Sequence, residues 1–229
     1  QYAQLAKDGK ISRLPYQTGC RPQGVVFNVT RPPFDNLKVR QAINLAVDRK
    51  AYIEVVHEGK AVPALAFAPG PDTGRTEADI WDKIPGFGTG ENKKKEIEEA
   101  KKLLADAGYP NGLKVDQYVR NTSSYMRQNE FIAADLKKIG IVTTQKVMDS
   151  SELFPLMEKQ NYTFAAYWFC QNTMDPDEFW GGYAITGGSR NWTGYSNPEI
   201  DKLYLQQSQE SNEAKRQAIN RQMEDILVS

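Results

Sequence analysis

The stretch from Pro32 to Arg49, PPFDNLKVRQAINLAVDR, constrains the fold of this chain more than any other. Its two prolines favour an extended approach and bar helix before them. Asp35 or Asn36 can accept a backbone N–H at a helix start. Val39, Ala42, Ile43, Ala46 and Val47 then recur at helical spacing and form one apolar face. Asp48 restarts a helix with Ile53 and Val56 inward, and Gly59 ends it.

The rest of the chain alternates strand and helix. Gln1–Lys7 reads as a helix end, and Ile11–Tyr16 and Gly24–Thr30 as extended segments. Ala61–Gly90 is rich in Gly and Pro without a sustained period, which predicts a long surface loop with one short turn, of the kind that covers a binding surface. Asn92–Ala107 and Ser124–Ile139 are amphipathic helices, and Leu113–Val119, Ile141–Val147 and Tyr162–Phe169 are strands. Lys94/Glu98 and Lys95/Glu99 are spaced for pairing on the first helix. Ser151–Lys159 is a short helix with Pro155 near its first turn, and further helices open at Asp175 and Asn197. This order predicts an α/β domain with a mixed sheet.

The chain has 229 residues and a formal net charge of +0, which gives no basic excess for nucleic acid. Its longest apolar run, Thr163–Cys170, is too short to span a bilayer. Catalytic signals are poor. His57, the single histidine, lacks the second histidine of a zinc protease motif and suits the last turn of a helix. Ser189 misses the last glycine of a nucleophile elbow, and Gly86–Gly90 lacks the Lys and Ser/Thr of a phosphate loop. Asp175, Asp177 and Glu178 cluster, but Asp-Pro-x-Glu has the layout of a helix cap with proline at the first position. No metal-ligating set and no cofactor are expected. Cys20 and Cys170 permit one bridge or two separate buried thiols.

The segment Tyr167–Met174 lies between a strand and a capped helix, where ligands of α/β sheets tend to sit. Trp168 and Phe169 offer a flat apolar wall, and Gln171 and Asn172 offer donors and acceptors; Cys170 and Thr173 lie among them. Alternation along the strand makes some of these aromatics core. Arg190, Asn191 and Trp192 form a second candidate wall, in which Arg190 suits a carboxylate.

Pro32–Arg49 resembles the signature of family 5 extracellular solute-binding proteins, the receptors of dipeptide, oligopeptide and nickel ABC importers. The passage AKKLLADAGYPNG (100–112), the pair Asp175-Pro176, and Asn191, Tyr195, Asn197 and Pro198 resemble the same family. The resemblance implies a mixed-sheet lobe of a type II periplasmic-binding-protein fold, closing with a second lobe over a small solute or short peptide and delivering it to ABC permease subunits. It implies a periplasmic protein, or an extracellular one anchored as a lipoprotein, without catalysis. The chain opens on Gln1 and stops just after a helix at Asn212–Val228, so residues 1–229 are expected to be one processed or cut lobe whose partner is the missing first lobe. The oxidising compartment favours a Cys20–Cys170 disulfide. Peptide-binding members carry an aspartate for the ligand's amino group at the position of Asn172, so the resemblance departs where it bears on ligand choice. Oligosaccharides, opine-like compounds and metal chelates are the alternatives within the family, and Trp168 and Phe169 suit a sugar ring. The rivals outside it are the ligand-sensing domain of a transcription regulator and a carboxylate-based hydrolase.

Overall fold

A computed structural model describes residues 19–171, 173 and 175–228, with the side chains of residues 19–21 and 171 outside the description. The expected helix at Gln1–Lys7, the extended segment at Ile11–Tyr16, and Asn172 and Met174 lie outside the described residues. Among the described residues four strands form one mixed sheet in the order β1-β4-β2-β3: β1 (Gly19–Phe27), β2 (Leu113–Arg120), β3 (Ile141–Met148) and β4 (Phe164–Gln171). β1 runs antiparallel to β4, whereas β2 is parallel to both β3 and β4.

Helices cover both faces. On one face lie α1 (Leu37–Ala46), α4 (Glu91–Asp106) and α5 (Ser123–Lys137), which bury Val39, Ile43, Leu104 and Leu136 against Phe34, Ile141 and Phe164. On the other lie α6 (Ser150–Glu158), α7 (Pro176–Phe179) with its π-helical continuation Trp180–Ala184, α8 (Pro198–Gln209) and α9 (Glu213–Val228). Their core holds Met157, Trp180, Ile200 and Met223. β4 serves both cores: Phe164 and Ala166 face the first, Ala165 and Tyr167 the second, as the two-residue period of a strand requires.

The signature segment builds its helices as expected, with one change at its start. Asn36, not Asp35, caps α1, accepting from Lys38 N at 2.9 Å. Asp48 caps α2 (Arg49–His57) through Ala51 N at 3.0 Å. The prolines do not hold an extended approach: Pro32-Pro33 is cis, within a turn closed by Phe34 N on Arg31 O at 3.0 Å. Arg40 Nη1 donates to Phe34 O at 2.6 Å, and Arg49 Nη1 to Asn44 O at 2.8 Å and Gly86 O at 2.7 Å. Lys93, also buried, donates to the carbonyls of Leu45, Val47 and Gly86.

Four local expectations need correction. The 61–90 segment is not wholly an exposed loop with one short turn. It buries Phe67, Arg75, Ile80 and Phe87 and contains a capped helix, α3 (Glu77–Lys83). What holds it is remote in sequence: Glu224 of α9 accepts from Phe67 N at 3.0 Å and from Arg75 Nε at 2.9 Å. Pro155 lies inside α6 rather than in its first turn, because the helix starts at Ser150. On α4 the described lysine pairs are Lys93–Glu96, Lys94–Glu91 and Lys101–Glu98, three residues apart rather than four. The first inner strand begins at Gly19 and ends at Phe27, earlier than Gly24–Thr30. Where the passage 100–112 ends, Gly112 has φ +78° and a Cβ there would lie 2.1 Å from Gly140 O, so only glycine fits.

Candidate functional site

The carboxyl ends of the parallel strands β2, β3 and β4 share one end of the sheet. Phe164 is opposite Gln117 and Ala165 opposite Tyr118, so residues 168–171 run past the end of β2. Neighbouring side chains on this overhang point to opposite faces. Trp168 turns toward α5, stacking on Tyr125 at 4.9 Å and donating Nε1–H to Gln128 Oε1 at 2.6 Å. Phe169 turns the other way and meets Tyr167, Phe179 and Tyr183 edge-on, with Tyr183 at 5.1 Å. The two aromatics are therefore not one wall.

A continuous wall does exist on the Phe169 face. Trp192 meets Tyr167 at 5.2 Å and Tyr183 at 6.4 Å, and stacks on Phe154 of α6 at 6.0 Å. A guanidinium stands at each end of it. Arg190 lies 5.7 Å from the Tyr183 ring and Arg120, the last residue of β2, lies 5.5 Å from the Phe154 ring. Arg120 is oriented by Nε donation to Ser150 Oγ at 2.6 Å. Arg190 Nη1 donates to Cys170 O at 2.9 Å and Tyr183 OH at 3.1 Å, while Tyr183 OH also donates to Cys170 O at 3.0 Å. The hydrogen bond to Tyr183 raises the Arg190 pKa above its ordinary value. Burial raises that of Tyr167, whose hydroxyl stays neutral.

Other candidate residues are committed to the frame. Asn191 Nδ2 donates to Ile185 O at 2.8 Å and Tyr195 O at 2.7 Å, so its amide staples its own loop. Thr173 is exposed, and its N and Oγ1 donate to Glu178 Oε2 at 2.8 and 3.0 Å. Asp175 caps α7 through Asp177 N at 2.9 Å and is paired with Arg216, whose hydrogen bond holds the carboxyl below its ordinary pKa. Asp175 is thus not free to replace the aspartate missing at Asn172. A depression of about 540 Å³ lined by Thr173, Asp175, Asp177, Glu178, Ser208 and Arg216 consists of these mutually satisfied groups. His57 sits in the last turn of α2 with Nε2 2.9 Å from Gln23 Oε1.

Residues 1–191 match the family described as bacterial extracellular solute-binding proteins, family 5 Middle. The chain belongs to this family. Among curated relatives, this family 5 chain is 31% identical to heme-binding protein A of Haemophilus influenzae, with 98% of the chain aligned to 40% of the relative. It is 28% identical to a probable di/tripeptide-binding protein 5 of Pseudomonas aeruginosa, over 89% of the chain and 38% of the relative. Among solved structures, HbpA2 from Haemophilus parasuis superposes with a TM-score of 0.80 at 26% identity, over 99% of this chain and 44% of that one. The Escherichia coli murein tripeptide binding protein MppA gives a TM-score of 0.78 at 23% identity over 99% of this chain and 44% of that one, which speaks to the fold alone. The fold is that of the type II periplasmic binding proteins, and the chain spans less than half the length of these relatives.

Arg120, Tyr125, Phe154 and Tyr183 escaped the sequence reading of this family 5 chain. The usable signal was the strand-end rule, which applies to β2 and β3 as well as to β4. Applied to β2, it points at Arg120 and the first turn of α5; applied to β3, at the start of α6, where Phe154 sits.

Proposed function

We propose that this chain is one lobe of a two-lobe substrate-binding receptor of an ABC importer. It takes a small solute, a peptide or peptide-like compound, between its strand-end wall and the other lobe, and passes it to the membrane permease. The observation that carries the reading is the aromatic wall, flanked by Arg120 and Arg190, at the carboxyl ends of the parallel strands of a family 5 chain. Such a wall is an open half-site, which a second lobe closes by hinge motion. The role requires no catalysis, and it belongs in the periplasm or, for a lipoprotein-anchored form, at the outer cell surface. Calorimetry tests it. The receptor with both lobes binds a peptide panel, and the chain alone binds the same peptides more weakly because it supplies half of the contacts. Equal affinity for the two overturns the one-wall assignment, and no binding by the receptor overturns the peptide assignment.

In that compartment a Cys20–Cys170 disulfide would join β1 to β4 beside the wall. Its support is the register, in which Cys20 is directly opposite Cys170 in the antiparallel pair. Directly opposed residues have Cα atoms about 4.5–5.5 Å apart, inside the roughly 4.4–6.8 Å that a disulfide spans. Intact-mass measurement after alkylation, with and without prior reduction, tests it: two alkyl groups added without reduction rule the bridge out.

A further inference from the structure

Arg190 is anchored on one side only. Its Nη1 is spent on Cys170 O and Tyr183 OH, whereas Nε and Nη2 have no partner among the described residues. A guanidinium pinned through one nitrogen keeps the other edge in a fixed orientation, and that edge carries the two parallel N–H groups that fit a carboxylate. The carboxylates at this end of the sheet are otherwise engaged. Asp175 is paired with Arg216, Asp177 accepts from Gln207 Nε2 at 3.1 Å, and Glu178 accepts from Thr173. Asp149, at the end of the edge strand β3, accepts from Asn121 Nδ2 at 3.2 Å. Glu178 contributes only a long-range attraction to Arg190. The second cation, Arg120, stands at the opposite end of the same wall. The excess charge available to a ligand on this wall is therefore positive.

We propose that Arg190 is the carboxylate-binding and specificity-determining residue of this lobe, so that its solute is recognised by a carboxylate rather than by a free amino group. The inference rests on the receptor role above and narrows its substrate class. The carboxylate takes the free Nε and Nη2 edge of Arg190, and the apolar body of the solute lies along the partly exposed Trp192 and Phe154, which pack on the buried Tyr167 and Tyr183.

The test is calorimetry on the two-lobe receptor with three probes: the tripeptide Ala-Ala-Phe, its C-terminal amide and its N-acetyl form. The acid and the N-acetyl peptide bind within about threefold of each other, and the amide at least about tenfold more weakly, as the loss of a charge-assisted pair dictates. In Arg190→Gln the acid weakens by the same factor and the preference for acid over amide disappears. Arg190→Lys restores part of it, as a point charge without the fork does. Amide binding equal to acid in the wild type overturns the proposal even if Arg190→Gln fails to fold. So does an Arg190→Gln protein with an unchanged melting temperature and an unchanged preference. Failure of all three probes to bind overturns the peptide assignment on which this inference rests, whereas binding of acid and amide alike overturns this inference alone.

Discussion

Trp168 provides the sharpest test of how the strand end is built. Its Nε1–H meets Gln128 Oε1 at 2.6 Å, and Gln128 is only 1% exposed. Trp168→Phe keeps an aromatic against Tyr125 but leaves the Gln128 oxygen facing apolar neighbours. An unsatisfied buried acceptor costs about 1–3 kcal/mol. The smaller ring also gives up roughly 40 Å² of half-buried surface, or about 1 kcal/mol at 25 cal/mol per Å². The expected destabilisation is therefore about 2–4 kcal/mol. Gln128→Leu strands the indole N–H instead, but Trp168 is half-buried and its donor can reach water, so the cost falls to about 1–2 kcal/mol. In the double variant both polar partners are gone, and the total falls short of the sum by about 1–2 kcal/mol. Urea unfolding followed by far-UV circular dichroism measures all four proteins without relying on the altered indole. Single-variant costs that add within about 0.3 kcal/mol refute the reasoning, since independent sites do add.

Three further outcomes follow from the frame. Phe34, 1% exposed with ring centroids 5.1 Å from Phe27 and 5.4 Å from Phe164, should cost about 3–5 kcal/mol as Phe34→Ala, read by thermal unfolding. Arg75→Met leaves Glu224 as an uncompensated buried charge and should cost about 3–5 kcal/mol, with limited proteolysis cutting first within 61–76; an unchanged cleavage pattern would show that the ion pair does not hold the segment. Asp175 has its pKa lowered from 3.8, chiefly by the Arg216 hydrogen bond, so its stabilisation is present above that value and lost as pH falls through the folded-state pKa. The melting-temperature gap between wild type and Asp175→Asn should accordingly shrink from about pH 6 to about pH 2, and stay small because the pair is partly exposed.

The local code was legible because it depends on near neighbours. Caps such as Asn36, Asp48, Asp175 and Asn197 satisfy N–H groups two or three residues away, which spacing reveals. Contacts between distant residues were not legible. Glu224 meets Arg75 149 positions away, and nothing in a Gly- and Pro-rich stretch announces that its arginine is buried against the last helix. Sheet order was hidden for the same reason, since the first described strand pairs with the last. Alternation along β4 separates Trp168 from Phe169, but it does not say which face carries the open wall. That depends on Trp192 and Phe154, both remote in sequence from β4's neighbours on the other face.

The segment that most clearly marks the family is also one that has little left to offer a ligand. Phe34 is buried, Arg40 holds the Phe34 carbonyl, Asp48 caps α2, and Arg49 bridges Asn44 to Gly86 with its guanidinium 4.5 Å from the Phe87 ring. Burial lowers the Arg49 pKa to about 10, still far enough above neutrality to keep the charge those carbonyls require. Asp48 and Arg49 are spent inside the lobe, and Arg40 is tied to it through Nη1. At the strand end Arg190 too is held by one nitrogen, and it keeps an edge of its guanidinium open among the described residues beside an aromatic wall. A motif whose caps and buried side chains serve the frame can identify that frame without constraining its cargo. On the proposed receptor reading, the choice of solute rests with side chains such as Arg190, whose position depends on the frame and whose hydrogen-bonding capacity the frame does not use up.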